Sequence, residues 1–257
     1  MLHSGKRDVR MKASAIEFRF RMEIMVVIVA LGFWAPWIEV WGLGSRKSLL
    51  EWLALELSRV GLLRFGYATP AVIVVGALIA FIGAVFRVWG TAYLGYGTVH
   101  HAAMQAGGVM ADGPYRYVRN PLYIGGWCML VATALTMPST GALFSIVLLT
   151  VFFLRLILGE EAFLSGQLGE PYREYLRAVP RLIPRLSSAP PSTGQKPHWM
   201  IAVLSEVNPI GVFITVALLS WSYDNVLMLK GLLISFGLSL VMRAFFIRKK
   251  TEDLIGR

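Results

Sequence analysis

Residues 122–158 read LYIGGWCMLVATALTMPSTGALFSIVLLTVFFLRLIL. Two apolar runs, 122–137 and 141–158, flank the break Met137-Pro138-Ser139, and Arg155 is the only charged residue between them. A bilayer core takes about 20 apolar residues of helix at 1.5 Å rise each. Two runs approaching that length, joined through a tight proline break, predict a helical hairpin in a membrane. Outward from it, further apolar runs lie at 22–43, 70–90, 199–221 and 226–247. The sequence therefore predicts an all-α integral membrane protein with about six transmembrane helices. Its 56% hydrophobic content and mean hydropathy of +0.61 agree, because soluble domains lie nearer ~45–50% even with glycine counted.

Charge orients the bundle. With the amino terminus inside, segments 1–21, 91–120, 159–198 and 248–257 face the cytoplasm, and they hold most of the Lys and Arg. The two short outer turns hold none, as the positive-inside rule asks. The exception is the first outer loop with Arg46, Lys47, Arg59 and Arg64. Residues 48–65 are apolar yet carry Glu51, Glu56, Arg59 and Arg64, which predicts an amphipathic surface helix and not a seventh span. The formal charge of +10 thus reads as lipid-headgroup and topology charge; no separate basic module exists for nucleic acid. His3, His100, His101 and His198 have no Cys or carboxylate partners at zinc spacing, so no metal site is expected. Cys128 lies alone in an apolar run and reads as packing. The first apolar run is long and no small-residue cleavage site follows it, unlike a cleaved signal peptide.

Four parts are expected. Residues 1–69 hold a basic tail, the first span and the surface helix; 70–186 form a core; 187–198 are a Pro- and Ser-rich linker; 199–257 hold two more spans and a basic end. In the core, two polar blocks face the same side because the hairpin returns the chain to its starting face. The first runs Asp112-Gly113-Pro114-Tyr115-Arg116-Tyr117-Val118-Arg119-Asn120-Pro121-Leu122-Tyr123. The second holds Glu160-Glu161, then Tyr172, Tyr175 and Pro180-Arg181. Arg119 can therefore approach the Glu pair, and Arg155, a turn or so earlier, can neutralise one of its carboxylates. Irregular backbone near membrane depth is tolerated where it is buried in protein or lines a cavity.

The stretches GPYRYVRNPLYIGG and EEAFLSGQLGEPYREYLRAVPRLIP, with a hairpin between, resemble the isoprenylcysteine carboxyl methyltransferase and phospholipid methyltransferase superfamily over roughly residues 70–186. The resemblance implies a cytoplasmic S-adenosylmethionine pocket. Gly113, Pro114 and Tyr115 would form the cofactor-binding turn. Arg119 and Pro121 match the family's Arg-His-Pro with Asn120 in place of His, and Tyr123 matches the following tyrosine. Glu160 and Glu161 match the paired acids, one of which would hold the cofactor's amino group; Tyr172 and Tyr175 match the aromatic pair. Where the family often carries a histidine ahead of the Gly-Pro-Tyr turn, this chain has Gly107-Gly108-Val109-Met110, leaving His100 or His101 as substitutes at a different spacing.

An anionic acceptor needs no general base, only a cation such as Arg119 or Arg155 to orient it. An amine must first lose a proton. The residues thus favour a prenylcysteine-type carboxylate or a thiol over a phospholipid amine among lipid-like acceptors. Glu39, and Glu206 with Asn208 beside Pro209, read as headgroup-layer residues, with the latter pair as an alternative substrate entrance. Gly83, Gly125 and Gly126 predict close helix approach. The last two spans could shield a lipid tunnel or form a dimer face. Two other classes stay open: an NADPH-dependent sterol-type reductase, which shares an Arg-His-Pro-Asn-Tyr motif, and a transporter or scaffold, against which stands the lack of an internal repeat.

Overall fold

The computed structural model describes residues 12–94, 111–187 and 191–255, with the side chains of 243 and 246–255 outside that description. The described chain is helical, with no strand among the described residues. Helix α1 (Ala15–Arg19) begins at a capping box: Ser14 accepts from the Glu17 N–H while Glu17 reaches back to the Ser14 N–H. Helix α2 (Arg21–Trp34) stops because Pro36 drives the residue before it out of the right-handed helical region, and Ala35 takes φ 42°. A short α3 (Trp37–Trp41) follows. Ser48 and Glu51 form a second capping box that starts α4 (Leu49–Arg59). Then come α5 (Phe65–Leu94), α6 (Pro121–Ala134), α7 (Ser139–Leu168) and α8 (Glu170–Ala178). Helices α9 (Trp199–Ser205) and α10 (Val207–Ile214) meet at a 65° bend, and a π turn at Thr215–Leu219 leads toward α11 (Asn225–Ile255).

Among the described residues, fewer helices than six have spanning length. Three qualify, Phe65–Leu94, Ser139–Leu168 and Asn225–Met242, and the bent α9–α10 pair makes four if it counts as one span. The expected runs at 22–43 and 122–137 fall short for local reasons. The first is cut at Ala35-Pro36, and the second opens at Pro121 and closes in the turn before Pro138, so α2 and α6 have 14 residues each, about 21 Å against a hydrocarbon core of ~30 Å. Conversely, α7 has 30 residues, about 45 Å. Residues 160–168 are therefore a continuation of its helix, not a separate one. Leu78, Leu143 and Ile234 stay exposed on the spanning helices, as expected where hydrocarbon is the solvent.

Small residues let the helices touch. A Cβ on Gly125 would stand 2.8 Å from the Gly83 carbonyl oxygen, which seats α6 directly on α5, whereas Gly126 has only Phe153 at 3.7 Å and is not squeezed. A Cβ on Gly141 would overlap the Gly32 carbonyl oxygen where α7 crosses α2. Gly141→Ala must push these helices apart. It is expected to lower stability by about 1–3 kcal/mol, read as a lower thermal midpoint in detergent; an unchanged midpoint would mean that the α2–α7 contact is not formed this way. At the same end of the bundle, α4 caps the hairpin turn: Leu49 and Leu50 donate to the carbonyls of Met137 and Leu135, at 2.8 and 3.0 Å. Leu50 packs with Val72, Ile73 and Leu135, while Glu51 and Arg59 face outward, in keeping with a surface helix.

Candidate functional site

At the other end of the hairpin the two polar blocks are stitched together by backbone. The Arg119 N–H donates to the Pro180 carbonyl at 2.9 Å, and the Arg185 N–H to the Tyr117 carbonyl at 3.0 Å. These bonds carry the second block across the first turn of α6. The Gly113–Arg116 turn is a 3-10 helix entered through Gly113 at φ 56°, where a Cβ would also overlap the Tyr93 ring. Both facts demand glycine there. Pro114 and Tyr115 are buried behind it. The Tyr175 hydroxyl donates to the Tyr115 carbonyl at 2.8 Å, and Tyr172 and Tyr175 stack with ring centroids 5.8 Å apart. Burial raises the hydroxyl pKa of Tyr115, Tyr172 and Tyr175 alike, so all three stay protonated donors.

The acidic pair splits into two different environments. Glu161, 6% exposed, receives a fork from Arg181, with Nη2 at 2.8 Å from Oε2 and Nε at 3.2 and 3.1 Å from the two oxygens. Arg119 Nε stands 3.4 Å from Oε1 as an ion pair, without the alignment of a hydrogen bond, while its Nη1 donates to the Leu176 carbonyl at 3.0 Å. Asn120 Nδ2 adds a long contact to Oε1 at 3.4 Å. Pairing with Glu161 raises the Arg181 pKa further. Glu160, by contrast, accepts one bond, from the Tyr123 hydroxyl at 3.2 Å. Pro121 sets the first turn of α6 that carries Tyr123 toward it.

Gly113, Pro114, Tyr115, Arg119, Asn120, Pro121, Tyr123, Glu160, Glu161, Tyr172 and Tyr175 thus gather at one end of the bundle. Arg155 takes another partner. Its Nε and Nη2 hold Glu17 at 3.1 and 2.9 Å, and that fork with the Ser14 N–H pulls the Glu17 carboxyl down to about 2. The reason is helical phase: five or six residues at 100° each put Arg155 roughly 120–140° around α7 from the Glu pair. His100, His101 and Gly107-Gly108-Val109-Met110 lie outside the described residues.

Three features were not anticipated. Arg181 is the main partner of Glu161; from sequence it was one more basic residue after a proline. Asp112 is 1% exposed and gathers the linker: the Ser192 and Thr193 hydroxyls and the N–H groups of Thr193 (3.0 Å) and Gln195 (3.3 Å) all donate to it. Burial pushes its carboxyl up, but these donors outweigh that and hold it at about 2. The Pro- and Ser-rich segment is therefore fastened beside the Gly113 turn. Third, Glu206 does not sit among headgroups. It is 1% exposed and takes a two-toothed pair from Arg87, both contacts 2.8 Å.

Residues 71–170 match the family described as Phospholipid methyltransferase. Among curated proteins, the chain is similar to a Protein-S-isoprenylcysteine O-methyltransferase of Schizosaccharomyces pombe (strain 972 / ATCC 24843), 37% identical over 78 residues. That stretch is 30% of this chain and spans a third (33%) of the relative's length. No solved structure gives a significant match.

Proposed function

We propose that this chain, which carries over residues 71–170 a domain of the phospholipid and isoprenylcysteine methyltransferase superfamily, transfers methyl groups from S-adenosylmethionine to a lipid-like acceptor at the cytoplasmic face of a membrane. The observation that carries the reading is the inequality of the acidic pair. Glu161 is clasped by the Arg181 fork and the Arg119 ion pair, whereas Glu160 takes its side-chain hydrogen bond from the neutral Tyr123 hydroxyl and feels Arg21 through its charge. A half-buried carboxylate that no guanidinium forks is open to a hydrogen-bonded cation, and the cofactor's ammonium would supply one. The Tyr115 hydroxyl, buried and without a hydrogen-bond partner, is a donor in the same place, suited to the cofactor's carboxylate or ribose oxygens. These residues fit the group. Glu160 and Tyr123 would hold its amino end, and the Gly113–Arg116 turn would let its backbone approach.

Held there by Glu160, Tyr123 and the Gly113–Arg116 turn, S-adenosylmethionine would supply an activated methyl carbon on a sulfonium sulfur, which a carboxylate oxygen would take as the sulfur kept the electron pair of the broken bond, with no proton moving. The chain's own residues need only orient and desolvate the partners, which accounts for much of such an acceleration. Glu161 is bound by arginines, and the tyrosines are held protonated, so none of them is a ready base. This favours a prenylcysteine-type carboxylate over an amine. The test is methyl transfer from radiolabelled cofactor to a total lipid extract and to an S-prenylcysteine analogue with a free carboxylate. Label is expected in the analogue. Binding of NADPH in place of S-adenosylmethionine, or label in neither acceptor, would overturn the reading.

A further inference from the structure

With Arg155 on Glu17 and Arg119 spent on Glu161 and Leu176, neither cation expected to orient the acceptor is placed to do so. A third arginine is. Arg87 lies on α5, and its stem crosses α6 over Gly125, where a Cβ would stand 2.7 Å from Arg87 Cγ. Its head lies within electrostatic reach of the Tyr115 and Tyr123 hydroxyls, the same groups that border Glu160. Its Nε and Nη2 each give one hydrogen to Glu206, and the Thr91 hydroxyl fixes the same carboxylate at 2.5 Å. A guanidinium has five N–H donors. Three remain, including the whole Nη1 edge, with no acceptor among the described residues, and the side chain is 21% exposed. Glu206 itself sits in the bend between α9 and α10, outside residues 71–170. Below this cluster the seam between α5 and the Phe213–Trp221 stretch holds an apolar hollow of about 280 Å³, open toward the hydrocarbon and lined by Ile73, Ala77, Leu78, Phe81, Phe213 and Trp221. A charged fork at the head of an apolar seam suits an amphiphile with a small anionic end.

We infer that Arg87, aimed by Glu206, receives the acceptor's carboxylate on its free edge, so that the bent α9–α10 pair completes the active site. The inference rests on the proposed methyltransferase reading. A planar carboxylate matches the two parallel N–H bonds of that edge. Esterification removes the charge and one of the two good acceptor oxygens, so the product leaves. Arg87 is thus a substrate-contacting residue and Glu206 a positioning residue. The C-terminal helices, whose role the sequence left open, act by holding it.

The experiment compares the full-length protein with Arg87→Lys, Arg87→Gln and Glu206→Gln in detergent. It measures S-adenosylmethionine affinity by calorimetry and methyl transfer to the S-prenylcysteine carboxylate analogue. Arg87→Lys keeps the charge and loses the fork. It is expected to raise KM for the analogue about tenfold or more with kcat nearly kept, the pattern of lost uniform binding, while cofactor affinity stays at the wild-type value. Arg87→Gln and Glu206→Gln should show the same split if folded, Arg87→Gln more strongly. Unchanged KM in Arg87→Lys overturns the assignment, as does a parallel loss of cofactor affinity, which a merely structural pair would give. Methylation of a phospholipid amine with none of the carboxylate analogue also overturns it. Failure of the wild-type protein to bind S-adenosylmethionine defeats the methyltransferase reading first, and this inference with it.

Discussion

Glu161→Ala is expected to destabilise the folded protein by about 3 kcal/mol, the lower end of the range for removing one partner of a buried ion pair. The lower end applies because Arg181 is 42% exposed on its side chain and can recover water, while Arg119, at 10%, cannot. Removing the carboxylate leaves the Arg119 guanidinium with the Leu176 carbonyl as its side-chain acceptor and leaves Asn120 with the Arg181 carbonyl. Both lie at the seam where the second polar block is sewn to the first. The loss should appear as a lower thermal midpoint and as proteolysis between residues 179 and 187, whether or not ligand is present. Glu161→Gln, which keeps an acceptor but not the charge, should fall between wild type and alanine. If alanine leaves the midpoint unchanged, Glu161 is not the clasp that its surroundings make it.

The sequence predicted the meeting of Arg119 with the acidic pair because it depends on topology alone. A hairpin of two apolar runs must bring its flanking segments to one face, and the Gly-Pro-Tyr and Arg-Asn-Pro turns announce irregular backbone there. Period and spacing were enough. What the sequence could not reveal were choices among equals. Glu160 and Glu161 are adjacent and identical in type, so only the side chains around them separate a clasped acid from an open one. Arg155 looked close in sequence yet lies around the helix from the pair, a phase argument available beforehand but overridden by proximity. Arg87 and Glu206 are 119 residues apart, and no spacing in the sequence links them. The described residues hold three or four helices of spanning length where six runs were expected, for a related reason. Hydropathy windows run through Ala35-Pro36 and up to Pro138, whereas the backbone stops at both.

The second large effect belongs to Glu160. Glu160→Gln is expected to weaken S-adenosylmethionine binding roughly tenfold to hundredfold while leaving the thermal midpoint of the unliganded protein nearly unchanged. The stability half follows from its partners: the Tyr123 hydroxyl, 3.2 Å from Oε2, can donate to an amide oxygen as well as to a carboxylate, and Arg21, whose charge also acts on Glu160, keeps its bond to the Phe18 carbonyl. The binding half follows from charge. A hydrogen bond to a charged group contributes about 1.5–3 kcal/mol, and each 1.4 kcal/mol is a factor of about ten in affinity. Tyr123→Phe should have a smaller effect of the same sign, because it loosens the orientation of the carboxylate without removing it; Phe153, whose ring lies 5.8 Å away in an edge-on contact, keeps the ring in place. Isothermal titration of the two variants beside Glu161→Gln separates the roles. The expected pattern is lost affinity with intact stability at 160 and lost stability at 161. If the two glutamates exchange those signatures, the ammonium sits at Glu161, and Arg181 must then swing away to admit it.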